Sequence, residues 1–111
     1  MKKLTKIQAS AKGEECTVHL TGCRNDTETT VLAHWTKAVV NSARRHDLRA
    51  AYSCDFCHGC LDGRIPYQFQ LFERAATWAD AIAWTHVRLM QKGLIKVDGY
   101  EPGLPKLLKR R

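Results

Sequence analysis

Four cysteines in two separated pairs, Cys16 with Cys23 and Cys54 with Cys57, constrain this chain more than any other feature. With 111 residues the chain is a single domain, residues 1–111, and can bury only a limited apolar core. A metal staple adds stability that such a core supplies sparingly. Cys54-Asp55-Phe56-Cys57 is a C-x-x-C knuckle, which presents two thiolates to one tetrahedral metal. Cys16 and Cys23 are further apart, and a turn at Thr21-Gly22 would bring the second thiolate back toward the first. Four thiolates at about 2.3 Å make a closed site of the structural zinc kind. The total of five cysteines is odd, and the opening MKKLTKIQASAKG lacks the apolar stretch of a secretory leader. Both points argue against a disulfide framework and for a cytoplasmic protein. A redox knuckle would need a thioredoxin-like βαβ context, which the pattern lacks; buried unliganded cysteines are the plain alternative. Cys60, three residues after Cys57, could replace it as a ligand but reads better as a small apolar filler.

Charge narrows the partners. Eighteen Lys and Arg stand against eleven Asp and Glu, a formal net charge of +7. Such a balance suits polyanions, because each phosphate neutralised releases counterions. No long apolar run or charged amphipathic anchor points to a membrane. Along the chain, residues 4–12 read as a short basic helix ended by Gly13. Short β elements are expected at 16–20, 29–35 and 50–52, with an exposed loop at 36–47. A short helix should begin near Cys57 and end at Gly63, and the longest helix should run from about Tyr67 to Lys92. Leu71, Ala75, Trp78, Ile82 and Leu89 form one apolar stripe of that helix. Phe72, Ala76, Ala79, Ala83 and Met90 form its neighbour. Trp84 lies on the polar face and reads best as a cover for the domain's own tail. The tail from 98 to 111 ends PKLLKRR, a basic arm suited to phosphate contact.

A second constellation adjoins the knuckle. His58 and Asp62 are four residues apart, one turn of a helix, and such a pair can share a divalent cation while leaving coordination positions open. On a helix it can equally be a solvated hydrogen-bonded pair. His34 ends the apolar run Val31-Leu32-Ala33 and is either a satisfied core histidine or a general base titrating near neutrality. His46-Asp47-Leu48 is the remaining polar group.

The order of these pieces resembles a known family. A cysteine hairpin, a strand ending Leu32-Ala33-His34, then His46-Asp47-Leu48-Arg49, then Cys54-x-x-Cys57-His58 with Asp62, is similar to the small phage and prophage nucleases of the YbcO type, grouped with the HNH, treble-clef nucleases. The resemblance covers about residues 5 to 97 and leaves out the tail. It implies an α+β fold: a small zinc-stabilised ββα-metal module, treble-clef or HNH-like, packed against a long C-terminal helix. It implies that Cys16, Cys23, Cys54 and Cys57 hold structural Zn2+, and that His34 is the general base. Asp47 would orient it, standing where an Asn is usual. His58 and Asp62 would hold a catalytic divalent cation (Mg2+, Mn2+, Ni2+ or Zn2+), Asp62 standing where His or Asn is commoner. Arg44, Arg45, Arg49 and Arg64 flank this site and would contact phosphates without reading bases. The activity implied is DNA phosphodiester hydrolysis in the bacterial cytoplasm by a phage- or prophage-encoded enzyme. Cutting both strands with one site requires a homodimer or two successive nicks. Two other functions share these features: a non-catalytic zinc-containing DNA-binding module, and a protein-interaction module that uses the long helix and Trp84.

Overall fold

The computed structural model describes residues 3–36 and 46–99; Arg44, Arg45 and all but the first two residues of the basic tail lie outside them. The order is helix α1 (Lys6–Ala9), a 3-10 turn (Thr27–Thr29), strand β1 (Val31–His34), a second 3-10 turn (Asp47–Arg49), strand β2 (Ala50–Ser53), helix α2 (Asp55–Asp62) and helix α3 (Glu73–Gln91). β1 and β2 pair antiparallel, with Leu32 opposite Tyr52 and His34 opposite Ala50. The expected α+β class, with a β-hairpin, a short helix and a long C-terminal helix, is thus the fold observed. No described helix is long and apolar enough to cross a membrane.

Both faces of the hairpin are covered, as alternation along a strand requires when neither side meets water. Ala33 and Ala51 point into a core with the cysteines, Leu61, Trp78 and Ala81. Leu32, Ala50 and Tyr52 point into a second core with Ala11 and Leu89, flanked by Ile7 and Leu94. A buried polar knot joins the layers. The Thr85 hydroxyl accepts from the Tyr52 amide (3.0 Å) and donates to the Ala81 carbonyl (2.8 Å), while Thr17 donates to the Tyr52 carbonyl (2.9 Å).

α2 ends at Gly63, whose φ of +90° is a left-handed helix cap that a side chain would strain. Within α2, Gly59 has a different purpose. A Cβ there would lie 2.5 Å from Ile65 Cδ1, so only glycine lets the outgoing chain close over the helix.

Three expectations need correction. The segment 16–20 forms no strand: the Val18, His19 and Leu20 amides are spent on cysteine sulfurs, and Thr17 alone bonds β2 through its amide (2.9 Å). α3 begins at Glu73 rather than near Tyr67, because Ile65, Tyr67 and Phe69 turn inward at alternate positions as an extended chain. Tyr67 and Phe69 pack ring on ring at 4.7 Å, and Phe72, at φ +67°, ends that extended run. The buried stripe of α3 is Trp78, Ala81, Thr85 and Leu89; Leu71, Phe72, Ala76, Ala79 and Ala83 face solvent. Arg88 of α3 reaches back half-buried to Glu14 (3.1 Å) and Glu15 (3.4 Å). Trp84 is half-buried beside a cleft of about 500 Å3 that it shares with the cysteine loop, including His19, Arg24 and Asn25.

Candidate active site and metal centre

The sulfur atoms of Cys16, Cys23, Cys54 and Cys57 lie within 4.8 Å of one another, drawn from the 16–23 segment and, 31 or more residues on, the N-cap and first turn of α2. Cys23 Sγ and Cys54 Sγ are 3.8 Å apart. Tetrahedral ligands at about 2.3 Å from one ion stand about 3.8 Å from each other, so the spacing fits zinc. The backbone supports thiolates here. The Asn25 amide donates to Cys23 Sγ (3.3 Å), and amides of Cys54, His19 and Val18 donate to Cys16. The Cys57 thiol beside it, helped by those amides, holds Cys16 down to about 4 against the effect of burial. The same contact pushes Cys57 up, with burial adding to it, and burial pushes Cys23 up to about 11. Asn25, in the left-handed region at φ +50°, also closes the loop by accepting the Cys16 amide through Oδ1 (2.8 Å). The donor set is all-sulfur and closed, which suits a structural ion with no position left for substrate. Cys60 is buried among Leu61 and the same core, outside this set, as a filler would be.

Across the hairpin, His34 and Asp47 meet. His34 Nε2 and Asp47 Oδ1 are 2.9 Å apart, both groups half-buried. The ladder explains the meeting: Trp35 donates its amide to the Arg49 carbonyl (2.8 Å), which sets the 3-10 turn carrying Asp47 beside the end of β1. The Leu48 carbonyl in that turn is in turn bonded by His86 of α3 (2.7 Å), a residue for which the sequence suggested no role.

Two further partners of Asp47 escaped sequence reasoning. Thr5 Oγ1 donates to Oδ2 (2.7 Å) and Gln8 Nε2 donates to Oδ1 (3.2 Å). The same two side chains form the capping box of α1, so the helix start and the carboxylate share one hydrogen-bond set. The T-x-x-Q spacing was a visible cap signal, but nothing in it named Asp47, 42 residues from Thr5, as the partner. Burial raises the Asp47 pKa, yet the hydrogen bonds from His34, Thr5 and Gln8 outweigh it and the net shift is downward. An ionised carboxylate only accepts, so His34 Nε2 is the donor of this bond.

On α2, His58 Nε2 stands 3.8 Å from Asp62 Oδ2. Two ligands at about 2.1 Å from one cation lie between about 3.0 and 4.2 Å apart, so the pair fits a shared divalent ion. Burial pushes the His58 pKa down, with Arg64 and His34 acting the same way and Asp62 and Asp55 opposing. Asp62 has a competitor. Arg64 donates through its amide (3.0 Å) and through Nε to both carboxylate oxygens (2.9 and 3.1 Å). Against the effect of burial, these bonds hold the Asp62 pKa down. Arg49 is engaged as well, its guanidinium 5.0 Å over the Trp35 ring, which stacks on Trp78 at 6.0 Å. Of the four arginines expected to meet phosphates, Arg64 and Arg49 therefore have intramolecular partners, and Arg44 and Arg45 lie outside the described residues.

The family model described as "Putative nuclease YbcO" matches residues 5–94. The chain belongs to the YbcO family. The curated relative "Putative nuclease YbcO" of Escherichia coli strain K12 is 30% identical over 93 residues, covering 81% of this chain and 96% of the relative. The protein of the same description from Enterobacteria phage 82 matches to the same extent. A solved structure described as that of a putative bacteriophage protein from E. coli K-12 MG1655 superposes with a TM-score of 0.63 at 30% identity, covering 78% of this chain and 98% of that one. The YbcO match spans all four cysteines, His34, Asp47, His58 and Asp62, and ends before the basic tail.

Proposed function

We propose that this YbcO-family chain is a metal-dependent DNA endonuclease of the HNH type, in which His34 is the general base. The observation that most supports this reading is the His34–Asp47 pair at 2.9 Å, together with His58 and Asp62 3.8 Å apart on α2. Asp47 keeps the proton on His34 Nε2 and so presents Nδ1 as the base. His34 Nδ1 takes a proton from water as the water oxygen bonds to phosphorus. The P–O3′ bond breaks, O3′ takes its proton from solvent, and the ends are a 5′ phosphate and a 3′ hydroxyl. His58 and Asp62 would hold a divalent cation (magnesium, manganese, nickel or zinc), whose chemistry when bound is Lewis-acid neutralisation of the phosphate and the leaving oxygen. In this scheme Asp62 must exchange Arg64 for that cation, which frees Arg64 to contact a phosphate. The four thiolates keep hairpin and α2 together and take no part in the chemistry. Partners are DNA and, for double-strand cutting, a second copy of the chain.

One observation favours a non-catalytic zinc-containing DNA-binding module: the Asp62 carboxylate already accepts from the Arg64 amide and Nε. The discriminating experiment incubates zinc-loaded protein with supercoiled plasmid and each of the four cations, beside His34→Ala. Cation-dependent nicking that falls by at least about a hundred-fold in His34→Ala, with DNA affinity and fold unchanged, is the expected result. Nicking by the variant at the wild-type rate would rule out His34 as the base.

A further inference from the structure

Leu4 and Val31 are two of the large apolar side chains left exposed, at 64% and 45%, and both line one groove of about 510 Å3 between α1 and β1. Ala9 and Leu32 extend its aliphatic wall, and His34 is itself part of the lining. Gln8 and Lys12 add polar groups with hydrogens to donate, and Glu28 adds one acidic group. Lys12 is the cation in the lining, and the exposed Lys3 and Lys6 flank Leu4 and Thr5 in the chain.

An aliphatic concavity continuous with a general base has a specific chemical use. The flat faces of nucleobases are apolar and gain by leaving water for such a surface, while the attached phosphates remain with the lysines. A fully paired duplex has no base to give, because its bases are stacked and bonded to each other.

We infer that this groove takes an unpaired nucleotide adjoining the scissile phosphate, so that the substrate class is DNA interrupted by unpaired nucleotides rather than perfect duplex. The placement beside a scissile phosphate rests on the nuclease reading; the preference for an unpaired nucleotide is a binding property and is tested without turnover. The probe is a fluorescein-labelled duplex, either fully paired or carrying a short thymidine bulge, titrated with zinc-loaded protein in the absence of added divalent cation and read by anisotropy. The bulged DNA binds about ten-fold tighter, the scale of removing roughly 55 Å2 of apolar base surface from water. Leu4→Ser should remove that margin but also loosens α1, since Leu4 and Ala9 occupy the positions of a hydrophobic staple around the Thr5 cap. Val31→Ser is the decisive variant, because Val31 is exposed at the end of β1 and touches no cap. It should lose most of the bulge preference while binding paired duplex as before. Equal affinity for the two DNAs, or a preference unchanged in Val31→Ser, overturns the assignment. A His34→Ala variant that still nicks plasmid removes the scissile-phosphate placement whatever the anisotropy shows, so the two failures are read in different measurements.

Discussion

Asp47 accepts hydrogen bonds from three side chains, and they come from two distant parts of the chain: Thr5 and Gln8 at its start, His34 at the end of β1. The stability this carboxylate contributes depends on its charge. Its folded pKa is lowered, so the contribution is fully present above the unfolded value near 3.9 and is lost as pH falls through the lowered one. Asp47→Asn should therefore reduce stability at neutral pH and flatten the pH dependence below about pH 4, seen in urea midpoints taken across that range. Its activity should survive in part, since the Asn oxygen can still accept from His34 Nε2. Asp47→Ala removes the acceptor and should cost on the order of ten- to a hundred-fold in nicking, as loss of an orienting partner of a functional histidine does. Thr5 and Gln8 were legible as a helix cap and illegible as supports of the site, because their link to Asp47 exists only once α1 lies against the hairpin.

Among the elements, α3 was the easiest to foresee and the most altered by packing. Its period placed Trp78 and Leu89 inward correctly, yet the stripe between them passes through Ala81 and Thr85, not Ile82. Hydropathy ranks Thr below Ile, but Thr85 has two buried backbone partners to satisfy and a position directly over β2. Thr85→Val keeps the volume and leaves the Tyr52 amide without an acceptor, an expected loss of about 1–3 kcal/mol in chemical denaturation. The extended segment before α3 was also readable in principle. Ile65, Tyr67 and Phe69 alternate with Pro66, Gln68 and Gln70, a period of two that suits an extended segment rather than a helix.

At the scale of the whole molecule, among the described residues, the hairpin and α3 contribute to both small cores, and neither is large enough to make metal removal harmless. A structural zinc contributes on the order of 10 kcal/mol to folding, comparable with the entire stability of a domain this size. Chelation at neutral pH should therefore unfold the protein, with loss of far-UV ellipticity and release of one equivalent of zinc, and Cys54→Ser should reproduce this without chelator. Retention of the native spectrum by fully stripped protein would show that the thiols are plain core residues. The net charge of +7 acts at this scale too, favouring polyanions such as nucleic acid whatever their sequence, with an affinity expected to fall as salt rises.

Spacing and residue chemistry pointed to the four-cysteine set and to the pairing of His58 with Asp62, because each depends on contacts within one turn or on a ligand chemistry that few residue types can supply, while the ββα arrangement was what the family resemblance implied. Tertiary structure decided the rest. It spent the 18–20 amides on sulfur instead of a strand, joined Thr5 and Gln8 to Asp47, turned Arg64 onto Asp62 and opened the groove beside His34. Those outcomes depend on which surfaces meet after folding, and residues 42 apart leave no periodic or local trace of a hydrogen bond between them.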